Sequence, residues 1–415
     1  MGRKADILTA VELGSNGIKI LLGEPQADHT IHLLGSEEII LHGKIVKGEA
    51  VNVSVLSDSL SDAFNALEGR CGERIQSVYL AVTGSHIGAQ NFQGSLPITS
   101  PDRTVREADI VEATRNARAF SLPIDRMPIH SLERSYLIDG HRRARDPIGQ
   151  IGGQLTADVH VIHGNYNAIQ TLCCLVDDVL GFPADDIAFS AVADVYGLAL
   201  PLEQHTGVLV LDVGAGVTEY VVYYNDGFMH SGQIAVGCEH LANDLSIGLQ
   251  LPISRCRDIL KKHGCARRRA GAEAEIVEVD VGIGKEPRRI RKGAIHTIME
   301  LRLQELFEVV RQDLQAHDVD SLVTDRVVLC GGGAMIPEVV ELAQSVFHVP
   351  AAIGTPGRVS GLESHLNSPR YVTAFGLLHL GHYLRRLDPS VPPPIEVMKR
   401  ELHRFGSMLR RAIRF

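Results

Sequence analysis

The sequence predicts an α/β fold that is duplicated into two lobes, and three observations predict it. An apolar strand, an acid, a glycine-rich turn and a second apolar strand occur in residues 11–17, and the pattern recurs in residues 211–216. Strand segments rich in β-branched residues alternate with helical segments, as in α/β layers. A third strand ends in the glycine run 331–333 before another helical segment. Glycines let a turn direct its N–H groups at one anion, so two facing hairpins are expected to hold phosphate groups between the lobes.

The first lobe is predicted from the N-terminal segment and from later stretches that resume its alternation. Its elements are strands over 7–13, 18–23 and 31–34, a helix over 56–67, a buried strand over 78–82, and helices over 165–180 and 191–200. Residues 83–163 differ, because they contain scattered glycines and prolines and one helix-like run over 107–120. This stretch is therefore predicted to be an inserted subdomain.

The second lobe begins with the second hairpin. It is predicted to contain one or two helices over 241–262, short strands within 270–287, a helix over 295–314, a strand over 326–330 and a helix over 336–346. In the long helix, we expect one apolar face composed of Ile298, Leu301, Leu306 and Val309.

Composition argues against several classes of protein. The 415 residues carry a formal charge of −9, which opposes a general affinity for nucleic acid. Seven cysteines without a C-x-x-C pair predict neither a disulfide framework nor a structural zinc site, and the histidines show no H-E-x-x-H or similar ligand spacing. No secretory signal pattern and no run of 18 apolar residues occurs. A chain in a reducing cytosol, neither secreted nor membrane-spanning, is expected.

The glycine motifs are not those of the two commonest nucleotide-binding folds. Neither G-x-x-x-x-G-K-[ST] nor a G-x-G-x-x-G that opens a helix after the first strand is present. In their order, the two hairpins and the glycine run resemble the phosphate-1, phosphate-2 and adenosine motifs of the actin-like ATPase superfamily. The resemblance implies ATP and Mg²⁺ as ligands. It assigns nucleotide contacts to Gly14, Ser15, Asn16, Gly17, Asp212, Gly214, Ala215, Gly216, Gly237, Gly331, Gly332 and Gly333.

On this actin-like reading, the acids of the two hairpins act at the metal. Glu12 and Asp212 would orient water on Mg²⁺, a hard cation that prefers oxygen ligands and keeps several waters. Glu12 stands where Asp is commoner in the superfamily, and an outer-shell role tolerates the extra methylene. Ser15 and Asn16 would offer hydroxyl, amide and backbone donors to phosphate.

One departure from the superfamily bears on hydrolysis. In chaperone-like relatives an acid that positions the hydrolytic water precedes the helix corresponding to 191–200, whereas residues 187–190 here contain no acid. General-base assistance is worth about 10²–10⁴-fold, so we expect slow hydrolysis, with ATP acting chiefly as a structural ligand that closes the lobes. Asp194 is a nearby acid, but its mid-helix position favours a structural role.

Several short motifs resemble one family within the superfamily, the bacterial cell-division proteins FtsA. They are YLAVTGSHI at 79–87, LPI at 96–98, YLID at 136–139, KHGCA at 262–266, VFH at 346–348 and TAFGLL at 373–378. The insertion to which the first three belong is absent from actin at that place. The resemblance extends over roughly the whole chain.

The resemblance implies a division of the chain into subdomains. These are a first lobe IA (1–83, 164–202 and 361–387), an inserted subdomain IC (84–163), a second-lobe core IIA (203–235 and 321–360), an outer subdomain IIB (236–320), a linker (388–394) and a terminal amphipathic helix (395–415).

The family also implies a function, which is polymerisation into actin-like filaments on the cytoplasmic face of the cell membrane at the division site. It implies a peripheral protein that recruits FtsZ through the C-terminal peptide of FtsZ, followed by later division proteins. Arg302 and Glu305 lie where the family resemblance places contact with that peptide. The alternative for these two residues is a solvated helix face.

The C-terminal segment predicts a membrane-binding helix. Behind a proline-rich linker, apolar residues at steps of three and four share one face, and six basic against two acidic residues give the segment a charge of +4. Such a helix is typical of an in-plane anchor on anionic lipid, where each Lys or Arg contributes about 1 kcal/mol. The predicted contacts include Met398, Leu402, Phe405, Leu409, Arg410, Arg411 and Ile413. A helix docked on the protein itself or on a partner is the alternative.

Two other classes share the duplicated fold. A small-molecule kinase would need a catalytic acid near the cleft between the lobes and would not need the terminal helix. An actin-like adaptor of pilus assembly would be a binding module.

Overall fold

The structure is a computed structural model that describes residues 7–198, 200, 206–279 and 287–386. In chain order its strands are β1 Leu8–Gly14, β2 Gly17–Pro25, β3 Ile31–Ile40, β4 Ile45–Val46, β5 Glu49–Ala50, β6 Val78–Val82, β7 Gly88–Pro97, β8 Arg126–Ile138, β9 Arg142–Ala144, β10 Gln154–Asn165, β11 Asp186–Phe189, β12 Gly207–Val213, β13 Thr218–Tyr224, β14 Gly227–Ile234, β15 Ile276–Val279, β16 Arg288–Arg291, β17 Arg326–Cys330, β18 Ala351–Ile353 and β19 Val359–Ser360. Its helices are α1 Val53–Cys71, α2 Glu107–Ala117, α3 Tyr166–Leu180, α4 Ser190–Gly197, α5 Cys238–Leu249, α6 Ile253–His263, α7 Lys292–Ala316, α8 Val339–Phe347 and α9 Val372–Arg386.

The two large sheets repeat one topology. The first has the order β11-β6-β1-β2-β3-β19, and the second has the order β14-β13-β12-β17-β18. In each, an antiparallel hairpin (β1-β2 or β12-β13) carries a third antiparallel strand on one side and two parallel strands on the other. The duplicated α/β fold predicted from the two hairpins is confirmed.

Helices α1 and α3 cover one face of the first sheet. Asn52 caps α1, because its side chain accepts a hydrogen bond from Val55 N, and the helix ends at Gly72 in the left-handed region with φ 69°. The buried residues of α1 recur at helical spacing and pack with the buried face of α3; they are Leu56, Leu60, Ala63, Phe64 and Leu67. This periodicity is why the sequence predicted the helix.

The opposite face of the first sheet packs against α9, which crosses α4 at two glycines. A Cβ added to Gly376 would lie 1.9 Å from Ala193 O, and one added to Gly197 would lie 2.2 Å from Val372 O. The two backbones therefore approach more closely than any larger residue at these positions allows. Phe375, beside Gly376, is fully buried under the first sheet.

The long helix α7 was predicted with the wrong apolar face. Leu301 and Val309 are 63% and 41% exposed, and of the four predicted residues Leu306 alone is buried. The buried stripe consists of Ile295, Met299, Leu303, Leu306, Phe307, Val310 and Leu314. The predicted set includes a step of five residues, which departs from the 3.6-residue period, whereas the observed stripe advances by three and four.

The inserted stretch contains a four-stranded sheet, β7-β10-β8-β9, with α2 packed on it. Strand β7 lies against the end of α2 at Gly94, where an added Cβ would lie 1.9 Å from Ala117 N. Among the residues that the structure describes, no helix is both long and apolar enough to cross a bilayer. The predicted linker 388–394 and terminal helix 395–415 lie outside the described residues.

Candidate functional site

A cavity of about 520 Å³ opens between the two hairpins. Both hairpin turns and the third glycine junction line it, together with the acid of each hairpin. The sequence-predicted residues that reach it are Glu12, Gly14, Ser15, Asn16, Gly17, Asp212, Gly214, Ala215, Gly216, Gly331 and Gly332. The structure thus brings three segments that are far apart in sequence to the wall of one cleft.

The two turns touch each other at the base of this cleft. A Cβ added to Gly216 would lie 2.3 Å from Ser15 Oγ, so the second turn presents bare backbone to the first. Ser15 Oγ also accepts a hydrogen bond from Lys47 N at 3.2 Å. Gly17 has φ 149°, and a Cβ there would lie 1.9 Å from Ile39 O. Only glycine fits at Gly17 without displacing the neighbouring strand.

Two predicted glycines, Gly237 and Gly333, do not line the cavity but lie behind its walls. A Cβ at Gly237 would lie 2.6 Å from the carbonyl oxygens of Gly214 and Ala215, and Cys238 N donates to Gly214 O at 3.0 Å. A Cβ at Gly333 would lie 2.3 Å from Val213 Cγ1. Both glycines therefore let α5 and the third junction pack directly on the second hairpin.

The acids of the two hairpins occupy the same position of each ladder. Glu12 is paired with Lys19, and Asp212 is paired with Glu219, so each acid lies opposite the residue seven positions later in its own hairpin. Lys19 Nζ donates to Glu12 Oε1 at 2.7 Å and to Arg370 O at 2.6 Å. The first hairpin thus carries a neutralised acid, whereas the second carries two acids.

Three carboxyl groups in or beside the cleft have raised pKa values. Burial raises the pKa of Glu219 to about 8, although Gly84 N donates to its Oε1 at 2.9 Å. Burial, with Glu12 nearby, raises the pKa of Asp212. Asp194 in α4 is fully buried, and burial together with Asp212 raises its pKa well above the ordinary range. The group is therefore short of positive charge.

Among the acids that line the cleft, two oxygens have no hydrogen-bond partner within the part of the chain that the structure describes. They are Glu12 Oε2 and Asp212 Oδ1, both buried and both on residues that line the cleft. Buried polar atoms are normally satisfied, so these oxygens call for a donor or a cation. Oxygen donors, raised pKa values and a shortage of positive charge fit a hard divalent ion with its waters.

Part of the cavity wall suits an apolar ring. Ala242, Leu260, Met335 and Ile336 contribute apolar surface there. Beside them, the Arg257 guanidinium binds the Glu239 carboxylate with contacts of 3.0 and 2.6 Å. A ligand with an apolar planar part and an anionic part would match this apolar wall and the glycine turns of the cleft.

Sequence reasoning missed Glu219, Lys19 and Thr373. Thr373, in the first turn of α9, lines the cavity, and its Oγ1 donates to Asp194 Oδ1 at 2.7 Å. The duplication carried a signal for the other two, since each lies seven residues after the acid of its hairpin. Comparing the hairpins position by position would have identified both.

The remaining predicted site residues lie elsewhere. Arg302 and Glu305 lie on α7, away from the cleft, and Arg302 pairs with Asp244 of α5 at 2.5 Å and with Glu305 at 2.5 Å. The predicted membrane contacts lie outside the described residues; they are Met398, Leu402, Phe405, Leu409, Arg410, Arg411 and Ile413.

Solved structures share this architecture. The PilM-PilN type IV pilus biogenesis complex matches with a TM-score of 0.64 at 16% identity, covering 92% of this chain and 99% of that one. MreB5 of Spiroplasma citri bound to AMPPNP matches with a TM-score of 0.54 at 12% identity, covering 92% and 98%. At these identities the likeness establishes the actin-like fold.

Sequence comparison identifies the family. The family model for cell division protein FtsA matches residues 209–376, and the model for the SHS2 domain inserted in FtsA matches residues 84–163. Cell division protein FtsA of Pseudomonas aeruginosa is 29% identical over 375 residues, covering 90% of this chain and 89% of that protein. The protein of the same name from Neisseria meningitidis is 29% identical over 417 residues, covering 100% and 99%. The chain therefore belongs to the FtsA family of cell-division proteins, with the actin-like fold and the insertion of that family.

Proposed function

We propose that this protein binds ATP with Mg²⁺, polymerises on the cytoplasmic face of the membrane at the division site, tethers the FtsZ ring there and recruits later division proteins. The observation that carries the proposal is the cleft, where the turns of both lobes meet beside acids with unpartnered oxygens. Family membership supplies the cellular setting. The subdomain division given above, from IA to the terminal helix, is part of the same proposal.

In the proposed complex, the two turns hold the phosphates and the third junction lies against the adenosine. Ser15 and Asn16 donate to phosphate oxygens, while Glu12 and Asp212 hold water on Mg²⁺, which offsets the negative charge of the phosphates. Contact of one nucleotide with both lobes would favour the closed arrangement, because the ligand stabilises whichever state makes more contacts with it.

Hydrolysis in this site is proposed to be slow. Ser190 stands at the start of α4, where an acid would otherwise position water, and its Oγ donates to Val82 O at 3.4 Å. Asp194 does not replace that acid, since its carboxyl group is fully buried in α4 and its Oδ1 already accepts a hydrogen bond from Thr373 Oγ1. A steady-state turnover comparable with that of ordinary kinases would contradict this part of the proposal.

The surface formed by α5 and α7 is the proposed site for the C-terminal peptide of FtsZ. The Asp244–Arg302 pair joins the two helices and fixes the guanidinium there. Leu301 is 63% exposed, and Glu305, one turn later on α7, is 61% exposed at its side chain. An apolar and a charged side chain at this spacing are suited to an amphipathic peptide. Replacing Leu301 with Ser and Glu305 with Lys is expected to weaken binding of that peptide in a titration.

The decisive test is electron microscopy of the full chain on anionic lipid monolayers with and without ATP. Polymers that depend on ATP are expected, since each terminal helix binds weakly and a filament presents many of them. Absence of polymers under every condition would contradict the proposal.

Truncation after Asp388 should abolish co-sedimentation with anionic vesicles while leaving ATP binding intact. A truncated chain that still pellets with vesicles would show that the tail is not the anchor.

Partner choice separates this proposal from the two alternatives. Binding to the FtsZ peptide supports the division scaffold, and phosphorylation of a small substrate would support a kinase. A chain that does neither would be a binding module like the pilus-assembly adaptors.

A further inference from the structure

A cluster of three metal-ligating side chains lies outside the cleft, between β14 and the end of α7. It consists of His230 on β14, Asp313 in the last turn of α7, and His317, the residue that caps this helix. One ligand atom from each residue lies within 4.8 Å of the other two, and across the described ranges this group alone meets that condition. The cluster is hidden in the sequence because 83 residues separate its first two members.

The distances suit an ion of modest size. His230 Nε2 lies 2.6 Å from Asp313 Oδ2, and His317 Nδ1 lies 3.4 Å from Asp313 Oδ1. Two donors that hold one tetrahedral Zn²⁺ at ~2.0–2.1 Å are ~3.3 Å apart, so the observed spacings require only small shifts. Asp313 and His317 stand four residues apart and therefore share one face of the helix. Imidazole nitrogen and carboxylate oxygen are ligands that Zn²⁺ accepts together.

The surroundings orient two of the three ligands, and the third lies at the surface with its Nδ1 hydrogen-bonded to Asp313 O at 2.9 Å. Tyr220 OH donates to Asp313 Oδ2 at 2.6 Å, and His230 is 6% exposed with its ring stacked on that of His317 at 4.3 Å. The side chain of His317 is 50% exposed. To complete the site, His317 Nδ1 must give up its bond to Asp313 O, and the exposed side of the ring then gives the ion its entry path.

We propose that His230, Asp313 and His317 bind a zinc-class divalent ion, with water in the fourth position. The ion would fasten the end of α7 to β14. That strand also meets the inserted subdomain, because Ser231 Oγ hydrogen-bonds to His160 Nε2 at 2.7 Å and Met229 O accepts from Arg134 Nε at 2.9 Å. The ion would thus stabilise the second lobe at its junction with the insertion, and the inference is independent of nucleotide binding.

The test is calorimetric titration of chelator-treated, tag-free full chain with Zn²⁺, together with the visible absorption of Co²⁺ as a probe of tetrahedral coordination. One site per chain is expected. His317→Ala and Asp313→Asn should weaken binding by about 100-fold or more and abolish the Co²⁺ spectrum, while Tyr220→Phe should weaken it by about 10–100-fold, as expected for loss of a group that orients a ligand.

The matched control is His365→Ala. His365 Nδ1 lies 3.4 Å from Glu363 Oε2, so this exposed pair reproduces the histidine–carboxylate contact without a third metal-ligating donor among the residues that the structure describes. Binding must survive this change. Absence of stoichiometric Zn²⁺ binding by the unmodified chain, or equal affinity in His317→Ala, would overturn the proposal. The melting temperature of His317→Ala is also measured without metal. Because His317 is on the surface, this comparison shows whether lower stability, rather than the lost ligand, explains weaker Zn²⁺ binding.

Discussion

Ser15 and Gly216 bring the two lobes into contact at the base of the cleft, where the hydroxyl of one residue occupies the space that a side chain of the other would need. The contact joins equivalent turns of a duplicated fold. A nucleotide between these turns would meet backbone from both lobes at once, so the distance between the turns sets the geometry of the whole site.

Gly216→Ala is expected to weaken nucleotide binding about tenfold or more and to lower stability by about 1–3 kcal/mol, the usual cost of overpacking. The reason is the 2.3 Å approach of the new Cβ to Ser15 Oγ. Titration with a fluorescent ATP analogue and urea unfolding measure the two effects. Adding Ser15→Gly should restore stability. Gly69→Ala, in α1 with nothing within 4 Å of its Cβ, is the control: it should leave nucleotide binding unchanged and should not lower stability, since Ala is favoured over Gly in a helix by up to about 1 kcal/mol.

Lys19→Met is expected to destabilise the protein by about 3–5 kcal/mol, since it leaves the Glu12 carboxylate in the cleft without its cation. The Lys19 and Glu12 side chains are only 13% and 16% exposed. The double variant Lys19→Met with Glu12→Gln should recover most of the loss in urea unfolding. A double variant that is no more stable than Lys19→Met alone would show that the Lys19–Glu12 ion pair does not account for the loss of stability.

Asp194→Asn is expected to leave the hydrolysis rate unchanged and to cost less than about 1 kcal/mol, because the asparagine oxygen can still accept the Thr373 bond. Asp194→Ala, which leaves the Thr373 hydroxyl unpaired, should cost about 1–3 kcal/mol. Phosphate release at saturating ATP and urea unfolding are the measurements. A large fall in hydrolysis with intact ATP binding in Asp194→Asn would instead identify Asp194 as the general base.

Glu219→Gln is expected to change how stability depends on pH in the nucleotide-free protein. The folded pKa of Glu219 is about 8 against an ordinary value of 4.5, so between these values the unfolded chain releases a proton that the folded chain retains. The free energy of unfolding therefore falls as pH rises through this window, by about 1.4 kcal/mol per unit from this group. The variant should lack that slope in urea unfolding at pH 5–8. Equal slopes would show that Glu219 is ionised in the fold.

The sequence predicted the duplicated hairpins and the glycine junctions because these features are local. A turn such as 14–17 is marked in the sequence by its glycines, of which Gly17 adopts a φ of 149° that other residues rarely adopt, and the strands beside it show their β-branched content directly. The ends of several elements shifted, and 241–262 resolved into α5 and α6 where one or two helices had been predicted.

Features that depend on long-range contacts escaped prediction. The apolar face of α7 could not be chosen from the sequence, because the helix carries apolar residues outside its buried stripe, Leu301 and Val309 among them. The burial of Asp194 and its bond to Thr373 join residues 179 positions apart. The cluster of His230 with Asp313 likewise depends on the packing of β14 against α7, and no residue spacing within either element predicts that contact.

The crossing of α9 and α4 has a mechanical consequence. Because Gly197 and Gly376 let the backbones of the two helices pack in direct contact, a shift of α9 would also displace α4. Thr373 on α9 lines the cleft and holds Asp194 of α4, and the residues that follow Arg386 lead to the proposed membrane helix. A force on the residues that follow Arg386 would therefore act through α9 on the wall of the cleft. Tension at the membrane and occupancy of the nucleotide site would thus both act on α9.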